Sequence, residues 1–373
     1  MISFVFGTTA ELIKLAPIAE RLDDRGIGYR WWCTGQQFDE LPPATDALGL
    51  RHPDRWLGTG WQGHSLRSAG EVARWAARLT RRVASDRSAL RSDLHADGRP
   101  PLVVVHGDTM TTVFGAVLGR SLGATVAHVE AGMRSGDWRN PFPEELDRRA
   151  VARLADVHFA SCSSAVANLR RARGVVVDTG ANTVVDALRL RSMVTSSLPA
   201  GIPERFGLVS LHRSELYANP AELERVLTEL AVYSHRADAC PLLFVDHPVT
   251  RARLTQLGLD PLVASLVRLP KQGYATFLTL LRRSEFVVTD SGGLQEEAAE
   301  LGVPCCVYRR TTERFEGLGA NVVVSGFGEG ALTSFLDEPA HYRRPALVRS
   351  VSPSDVIVSW LEVNGFCPVA TPA

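Results

Sequence analysis

Lysine is almost absent from this 373-residue sequence: only Lys14 and Lys271 occur among its 41 lysines and arginines. The bias is typical of GC-rich coding, so we take it as an indication of source rather than of function. An excess of charge of either sign is also missing, because 41 acidic residues balance the 41 basic ones. This balance argues against a general attraction to nucleic acid or to anionic lipid.

Several residue patterns are missing as well. The six cysteines form no CxxC pair and no disulfide-framework spacing, and the ten histidines form no HExxH or other ligand spacing. No apolar run approaches the roughly 18 residues that a membrane span requires. The sequence starts at once with the strand-like ISFVF, which predicts that no signal peptide is present. We therefore predict a cytoplasmic protein with no metal, no cofactor, no nucleic-acid partner and no membrane partner.

Short β-rich runs alternate with longer amphipathic segments in two series. The strand candidates of the first series are ISFVF (2–6), YRWWC (29–33), LVVVH (102–106), TVAHV (125–129) and VHFA (157–160). Those of the second are GLVSLH (207–212), LLFVDH (242–247), LVRLP (266–270), FVVTD (286–290), VPCCVY (303–308) and NVVVSG (321–326). Apolar strands separated by helices predict parallel sheets covered on both faces. The fold class is therefore α/β, with two doubly wound, Rossmann-like domains facing a cleft.

Ligands of such sheets bind beyond the carboxyl ends of the strands, near helix N-termini. One such junction is TDSGGLQEEAAELG (289–302), where a helix is expected from about Leu294 to near Gly302. The glycines let backbone N–H groups approach an anion, which suits a diphosphate. Glu296 or Glu297 could then accept hydrogen bonds from ribose hydroxyls. The alternative is a simple tight turn, with acids that complement the helix dipole.

A second junction, AHVEAGMRSGDWRNPFPEEL (127–146), gathers carboxylates after an apolar strand. They are Glu130, Asp137, Glu144 and Glu145. The last two have an ordinary explanation, because acids at the start of a helix are stabilised by its dipole. Glu130 has no such explanation. Arg134 and Arg139 either neutralise part of this group or bind substrate.

Three further strand ends carry polar residues whose ordinary explanations compete with function. GTTAELIKLAP (7–17) contains Lys14 but only one glycine, so it is not a dinucleotide motif, and a solvated lysine is the usual reading. HGDTMTT (106–112) contains Asp108, which would suit a helix N-cap, as would Thr109 and Thr111. SLHRSE (210–215) contains His212, which is either a phosphate ligand, a proton carrier or a structural histidine.

Taken together, these junctions resemble the UDP-N-acetylglucosamine 2-epimerase family, most closely its non-hydrolysing bacterial branch. The resemblance runs from about residue 2 to residue 327 and rests on GDTMTT, HVEAGMRSGD, PFPEELDRR, TGANTVVDAL, LHRSE, DSGGLQEE and RRTTERFE, in the order and spacing of the family. It implies a GT-B type fold. We also expect a homodimer, although the oligomeric state does not follow from the sequence itself. We place the sugar-side domain at 1–180, the UDP-binding domain at 181–352, and a C-terminal helix and tail that cross back to the first domain at 353–373.

The resemblance also implies individual roles. Nucleotide ligands in the second domain would be Ser291, Gly292, Gly293 and His212 at the diphosphate, Glu297 at the ribose, Tyr274 and Phe277 at the uracil, and Arg309 and Arg314 near phosphate and sugar. From the first domain, Lys14 and Arg134 would bind substrate. The catalytic residues would be Asp108, Glu130, Glu144 and His212. Which carboxylate abstracts a proton and which donates one stays open.

The reaction that the resemblance implies interconverts UDP-GlcNAc and UDP-ManNAc. UDP is eliminated, a 2-acetamidoglucal remains on the enzyme, and UDP adds back after protonation of the opposite face. Three alternatives stay open: a hydrolysing epimerase that releases ManNAc and UDP, a GT-B glycosyltransferase, and a non-catalytic sugar-nucleotide sensor.

The sequence departs from the family pattern at four motifs. Thr9 replaces the arginine of GTRPE, Leu216 replaces the asparagine of HRxEN, and Phe315 replaces the proline of TERPE. The loop TGQHxxM, which contributes to an activating second UDP-GlcNAc site in some members, reads TGQQFDE at 34–40. These changes leave the acids in place, but they leave substrate identity, regulation and pathway open.

Overall fold

The computed structural model describes residues 1–66, 68–137, 142–192 and 198–368. The chain divides into two compact units: unit 1 consists of Met1–Leu190 and Ser350–Ala373, and unit 2 consists of Arg191–Arg349. The first division therefore falls ten residues later than the sequence-based position at 180. The difference arises because the helix from Val184 to Ser192 is tied to unit 1, where the Asp186 carboxylate accepts a hydrogen bond from the backbone N–H of Ser354 (2.8 Å).

Unit 1 is built on a parallel sheet of seven strands in the order β3-β2-β1-β4-β5-β6-β7. The strands are β1 (Ile2–Phe6), β2 (Tyr29–Cys33), β3 (Arg55–Trp56), β4 (Leu102–His106), β5 (Thr125–Ala131), β6 (Val157–Ala160) and β7 (Val175–Asp178). The helices are α1 (Thr9–Asp24), α2 (Leu41–Ala47), α3 (Ala69–Leu94), α4 (Met110–Leu122), α5 (Glu144–Leu154), α6 (Ser163–Asn168) and α7 (Val184–Ser192).

Unit 2 contains a second parallel sheet, of six strands in the order β10-β9-β8-β11-β12-β13. These strands are β8 (Gly207–Ser210), β9 (Leu242–Asp246), β10 (Val267–Pro270), β11 (Phe286–Thr289), β12 (Cys305–Val307) and β13 (Val322–Val324). Its helices are α8 (Ser214–Tyr217), α9 (Pro220–Ser234), α10 (Pro248–Leu257), α11 (Tyr274–Arg283), α12 (Gly292–Leu301) and α13 (Ala331–Asp337), with 3-10 turns at Asp260–Val263 and Pro339–Tyr342.

The last helix, α14 (Pro353–Val363), belongs to unit 1. It packs on α1, where Arg21 Nε donates to Asp355 Oδ1 at 3.0 Å. Both predicted parallel-sheet α/β domains are confirmed. Two short strands were not foreseen: β3 has only two residues, and β7 is an edge strand whose residues are exposed or half-buried.

Each sheet reverses its strand order between two neighbouring central strands. In unit 1 these are β1 and β4, and in unit 2 they are β8 and β11. Connections leave such a pair in opposite directions, which opens a crevice at the carboxyl ends of the strands, where doubly wound folds bind ligands. The five strand–helix junctions described in the sequence lie at the ends of these four strands or of the neighbouring β5. No helix in the described part of the chain is both long and apolar enough to cross a membrane.

Candidate active site

Glu130 stands in an unusual backbone conformation within β5. Its φ angle is +64°, which is uncommon for a residue other than glycine, and the register of β5 against β6 shifts between Val129 and Ala131. A bulge of this kind turns a side chain to a new direction, and such backbone strain clusters at functional sites. The bulge therefore explains how a carboxylate inside a buried strand reaches polar partners.

Those partners surround a single oxygen of Glu130. Lys14 Nζ lies 2.5 Å from Glu130 Oε2, Asn182 Nδ2 donates to the same oxygen, and His106 Nε2 lies 3.6 Å from it. Lys14 and Glu130 are each only 7% exposed. Lys14 is thus not the solvated lysine that its local pattern favours. Its ammonium group is held against Glu130, and this pairing keeps a charged carboxylate in a fixed place.

Asp108 follows β4 at the switch point of unit 1. The cap of α4 is Thr109, whose Oγ1 accepts a hydrogen bond from the N–H of Thr112 (3.2 Å), so the reading of Asp108 as an N-cap is wrong. Instead, Asp108 Oδ2 accepts a hydrogen bond from Arg148 Nη2 at 2.5 Å. Arg148 also lies 3.4 Å from Glu145 through Nη1, and therefore links the start of α5 to the end of β4.

The first turn of α5 carries two acids on one face, because residues three apart on a helix are neighbours. Glu144 is half-buried, and Asp147 is only 9% exposed. Burial is the main cause that raises the pKa of Asp147 to about 7, and the nearby charges of Asp108 and Glu144 add to it. Sequence reasoning missed Asp147, because an acid in the first turn of a helix has an ordinary explanation.

Arg134 follows β5 and is half-buried. Its Nη1 donates to the carbonyl of Met133 at 2.7 Å, and it forms no salt bridge with any carboxylate in the described parts of the chain. Neutralisation of the acidic group at this edge therefore falls to Arg148 and Lys14 rather than to Arg134. Arg139, the other candidate, lies outside the described residues.

In unit 2, Asp290 ties the two strands of the switch point together. Its carboxylate accepts hydrogen bonds from the backbone N–H groups of His212 (3.0 Å) and Arg213 (2.8 Å), which follow β8. Burial raises the pKa of Asp290 to about 6, against the opposing effect of these N–H groups. The ring of His212 lies 4.7 Å from that of His247. Asp290, to which the sequence pattern assigns no role, therefore positions His212.

The turn Ser291-Gly292-Gly293 begins α12 two residues earlier than predicted, at Gly292. Ser291 caps the helix, because its Oγ accepts a hydrogen bond from Leu294 N–H at 3.4 Å. The first N–H groups of a helix have no intrahelical acceptor. Among the described residues, no acceptor engages the N–H of Gly292 or Gly293, so both are available to an anion.

The two glycines differ in what surrounds them. A Cβ at Gly292 would lie 3.3 Å from Cγ of Arg314, so glycine there permits a close approach of that side chain. A Cβ at Gly293 would meet nothing nearer than Ser291 Oγ at 3.9 Å, and its backbone is not in the left-handed region. Protein packing therefore gives no reason for glycine at 293. Close approach of a ligand to the backbone is a reason that remains.

The structure separates the two glutamates of α12. Glu296 is buried and accepts a hydrogen bond from Arg314 Nη1 at 2.7 Å. Glu297 accepts one from the hydroxyl of Tyr274 at 2.9 Å, and Phe277 lies half-buried one turn further along α11. Of the two candidates for the ribose, Glu297 is thus the one that shares its surroundings with the segment expected to bind uracil.

Arg309 and Arg314 are both buried on the segment that follows β12. Arg309 Nη1 donates to Glu313 Oε2 at 2.9 Å. The amide of Gln295 donates to the carbonyl of Arg314 at 3.2 Å, and this contact fixes the segment against α12. The two cations therefore lie on a segment anchored to the helix whose N-terminus is open to an anion.

Two of the departures from the family pattern contact each other. Gln37 Oε1 accepts hydrogen bonds from the N–H (2.9 Å) and the hydroxyl (3.1 Å) of Thr9. Leu216, by contrast, lies in the core of unit 2, and Phe315 is exposed. The loop 34–40 and the start of α1 have thus changed at positions that meet.

Comparison with known proteins gives a consistent result. A family model described as UDP-N-acetylglucosamine 2-epimerase matches residues 89–333. The chain is 31% identical to the UDP-N-acetylglucosamine 2-epimerase of Yersinia pestis, over 86% of this chain and 85% of that protein. It is 30% identical to that of Methanocaldococcus jannaschii, over 92% of this chain and 94% of that protein.

Solved structures agree with these matches. The crystal structure of the M. jannaschii UDP-GlcNAc 2-epimerase in complex with UDP-GlcNAc and UDP superposes with a TM-score of 0.81 at 27% identity, over 97% of this chain and 99% of that one. The Neisseria meningitidis enzyme bound to UDP-GlcNAc gives a TM-score of 0.78 at 26% identity, over 97% of this chain and 100% of that one.

Proposed function

Because the chain belongs to the UDP-N-acetylglucosamine 2-epimerase family, we propose that it interconverts UDP-GlcNAc and UDP-ManNAc without releasing free sugar. UDP is eliminated from C1 as the C2 proton is removed, which leaves a 2-acetamidoglucal and UDP on the enzyme. Protonation of C2 on the opposite face and return of UDP to C1 complete the epimerisation. The M. jannaschii and N. meningitidis relatives, whose structures contain UDP-GlcNAc, support this choice of substrate.

The observation that carries the proposal for UDP is the open N-terminus of α12. Gly292 and Gly293 offer two backbone N–H groups at the positive end of a helix dipole, where a diphosphate is stabilised. His212, held by Asp290, and the buried cations Arg309 and Arg314 add positive or hydrogen-bonding groups in the same unit. Tyr274 and Glu297, which are already joined by a hydrogen bond, would contact the base and the ribose.

Unit 1 supplies the groups proposed to act on the sugar. Breaking the C1–O bond builds positive charge on the sugar ring, which nearby carboxylates stabilise, and moving a proton at C2 from one face to the other requires more than one acid or base. Asp108, Glu130 and Glu144 lie at one edge of the sheet or at the start of α5, and each of the first two already pairs with a cation. Lys14 and Arg134 are proposed to bind substrate beside them.

The test is to incubate the protein with UDP-GlcNAc in D2O and to follow the products by NMR. We expect UDP-ManNAc to form with deuterium at C2, because solvent exchanges with the proton carrier during the reaction. Free ManNAc in proportion to turnover would establish the hydrolysing reaction instead. Unchanged UDP-GlcNAc despite tight binding would point to a sensor.

We also propose that the enzyme acts as a homodimer in the cytoplasm. Light scattering of the purified protein at micromolar concentration tests the first part, since a particle mass twice that of the 40.6 kDa chain is expected. A monomer that is fully active would contradict it.

A further inference from the structure

Asp147 is a buried acid that the reaction as proposed above does not use. It is 9% exposed, and its Oδ2 is buried without a hydrogen-bond partner among the described residues. No arginine or lysine in the described parts of the chain forms a salt bridge with it, although Arg148 is its direct neighbour in sequence. Arg148 instead directs its guanidinium to Asp108 and Glu145. An ionised carboxylate in such a place would lack compensation.

The groups that face Asp147 are themselves acids. Glu144 precedes it by three residues on the same face of α5, and the charge of Asp108, on the loop after β4, acts on it as well. We call Asp108, Glu144 and Asp147 the acidic cluster. When carboxylates share a site, repulsion between like charges leaves one of them protonated. Among the described residues, the carboxylate of Asp147 has neither a cation nor a hydrogen bond. Burial, with the charges of Asp108 and Glu144, raises its pKa to about 7.

We propose that Asp147 carries its proton in the resting enzyme. Because it is then neutral, it adds no negative charge to the acidic cluster, and this lets Asp108 and Glu144 act on the sugar. Asp147 is thus a positioning residue that acts through its two neighbours, and this role depends on the proposed epimerase reaction. When Asp147 ionises, it adds a like charge beside them and opposes their own ionisation. Turnover should therefore fall as the pH rises through the range in which Asp147 loses its proton.

The variant Asp147→Asn tests this role, because the amide has the same shape and stays neutral at every pH. We expect kcat within about three-fold of wild type at pH 6, and an alkaline limb displaced upward by roughly one pH unit or more. Asp147→Ala, which is also neutral, should show the same upward displacement. It separates the loss of the charge from any effect of the amide on packing. Asp24→Asn, which removes an exposed acid of α1, is the control that should leave the profile unchanged.

Thermal stability gives a second measurement that needs no substrate. The folded pKa of Asp147 lies above its unfolded value, so its stabilising contribution is complete below the unfolded pKa of about 4 and is lost as the pH rises to about 7. The Tm of Asp147→Asn minus that of wild type should therefore grow between pH 4 and 7 and level off above. The Asp24→Asn difference should stay flat.

The outcomes separate the two claims. Superimposed pH profiles, or loss of activity in Asp147→Asn at every pH while UDP still binds, would overturn the proposed role. If wild type epimerises UDP-GlcNAc but the Tm difference does not change with pH, Asp147 is not the protonated member and this inference alone fails. If the Tm difference grows but wild type lacks epimerase activity, the proposed function fails, and with it the positioning role of Asp147, although the assigned proton stands.

Discussion

Both units contain a junction in which a central strand turns through glycine into a helix, but the two helix N-termini are used differently. In unit 1, Glu11 accepts hydrogen bonds from the N–H groups of Gly7 (2.8 Å) and Thr8 (2.9 Å), and Gln37 accepts the N–H of Thr9. In unit 2, the N–H groups of Gly292 and Gly293 meet no acceptor within the described residues.

A strand-glycine-helix pattern alone therefore does not make an anion site. The buried carboxylate of Glu11 already occupies the N-terminus of α1, so the positive end of this helix stabilises the fold and is not open to a ligand. The N-terminus of α12 is capped only by Ser291 and remains open. Unit 1 thus offers acids, and unit 2 offers donors. We infer that chemistry belongs to the first and nucleotide affinity to the second.

The largest effect that tests this division is on turnover. Asp108→Asn, Glu130→Gln and Glu144→Gln should each lower kcat by roughly 10²-fold or more, the usual scale for an acid or base, while UDP affinity changes by less than about three-fold. Steady-state kinetics and calorimetric titration with UDP measure the two quantities, and Asp24→Asn is the exposed control. Near-wild-type rates in all three variants would make these acids structural.

The next effect is on the stability of unit 1. Glu11→Ala leaves the N–H groups of Gly7 and Thr8 buried without an acceptor, which should cost about 3 kcal/mol in the free energy of unfolding. Affinity for UDP should not change at temperatures well below unfolding. Denaturant titration measures the loss, and Asp24→Ala on the exposed face of α1 should stay within about 0.5 kcal/mol of wild type. Weaker UDP binding without lost stability would mean that the α1 junction is itself an anion site.

In unit 2 we expect a smaller effect, in which the affinity for UDP falls while the stability is unchanged. Gly293→Ala fits the protein, since the nearest atom to the new Cβ lies 3.9 Å away, but it hinders the approach of a diphosphate to the backbone. We expect UDP affinity to fall about 10-fold, equivalent to roughly 1.4 kcal/mol, with unchanged stability. Gly28→Ala, where a Cβ also meets only open space, is the matched control in unit 1. Equal UDP affinity of Gly293→Ala and wild type would remove α12 from the nucleotide site.

The smallest effect concerns Tyr274. Tyr274→Phe removes the hydroxyl that donates to Glu297 at 2.9 Å but keeps the ring. The loss of one hydrogen bond should weaken UDP binding by only about three- to ten-fold. The same change in a Glu297→Gln background should have a smaller effect, because the pair acts together. Additive losses would show that the two side chains contribute separately.

Much of the fold and of the candidate site can be predicted from local sequence. An apolar run predicts a buried parallel strand, and the residue that follows the strand lies at the ligand-binding edge of the sheet. This reasoning located Asp108, Glu130, His212 and the α12 turn. The same reasoning did not predict β7. This strand lies at the edge of the sheet, its residues are exposed or half-buried, and its three consecutive valines do not alternate with polar residues.

The remaining contacts depend on residues far apart in the chain. Asn182 donates to Glu130 across 52 positions, and Lys14 pairs with it across 116. No local sequence pattern predicts contacts between residues so far apart in the chain, which is why the local pattern around Lys14 predicts a solvated lysine. Asp147 was not predicted as a site residue for a different reason. Its burial is set by how α5 packs against the rest of unit 1, whereas its sequence position looks like a routine helix start.

The most direct test of the division between the units is a double-variant cycle of Glu144→Gln and Gly293→Ala, in which kcat at saturating UDP-GlcNAc and the Kd for UDP are both measured. If the roles are separate, the double variant has the kcat of Glu144→Gln and the Kd of Gly293→Ala, because independent sites contribute additively. If Glu144→Gln weakens UDP as much as Gly293→Ala does, or if Gly293→Ala lowers kcat by roughly 10²-fold at saturation, the assignment of chemistry to unit 1 and affinity to unit 2 is contradicted.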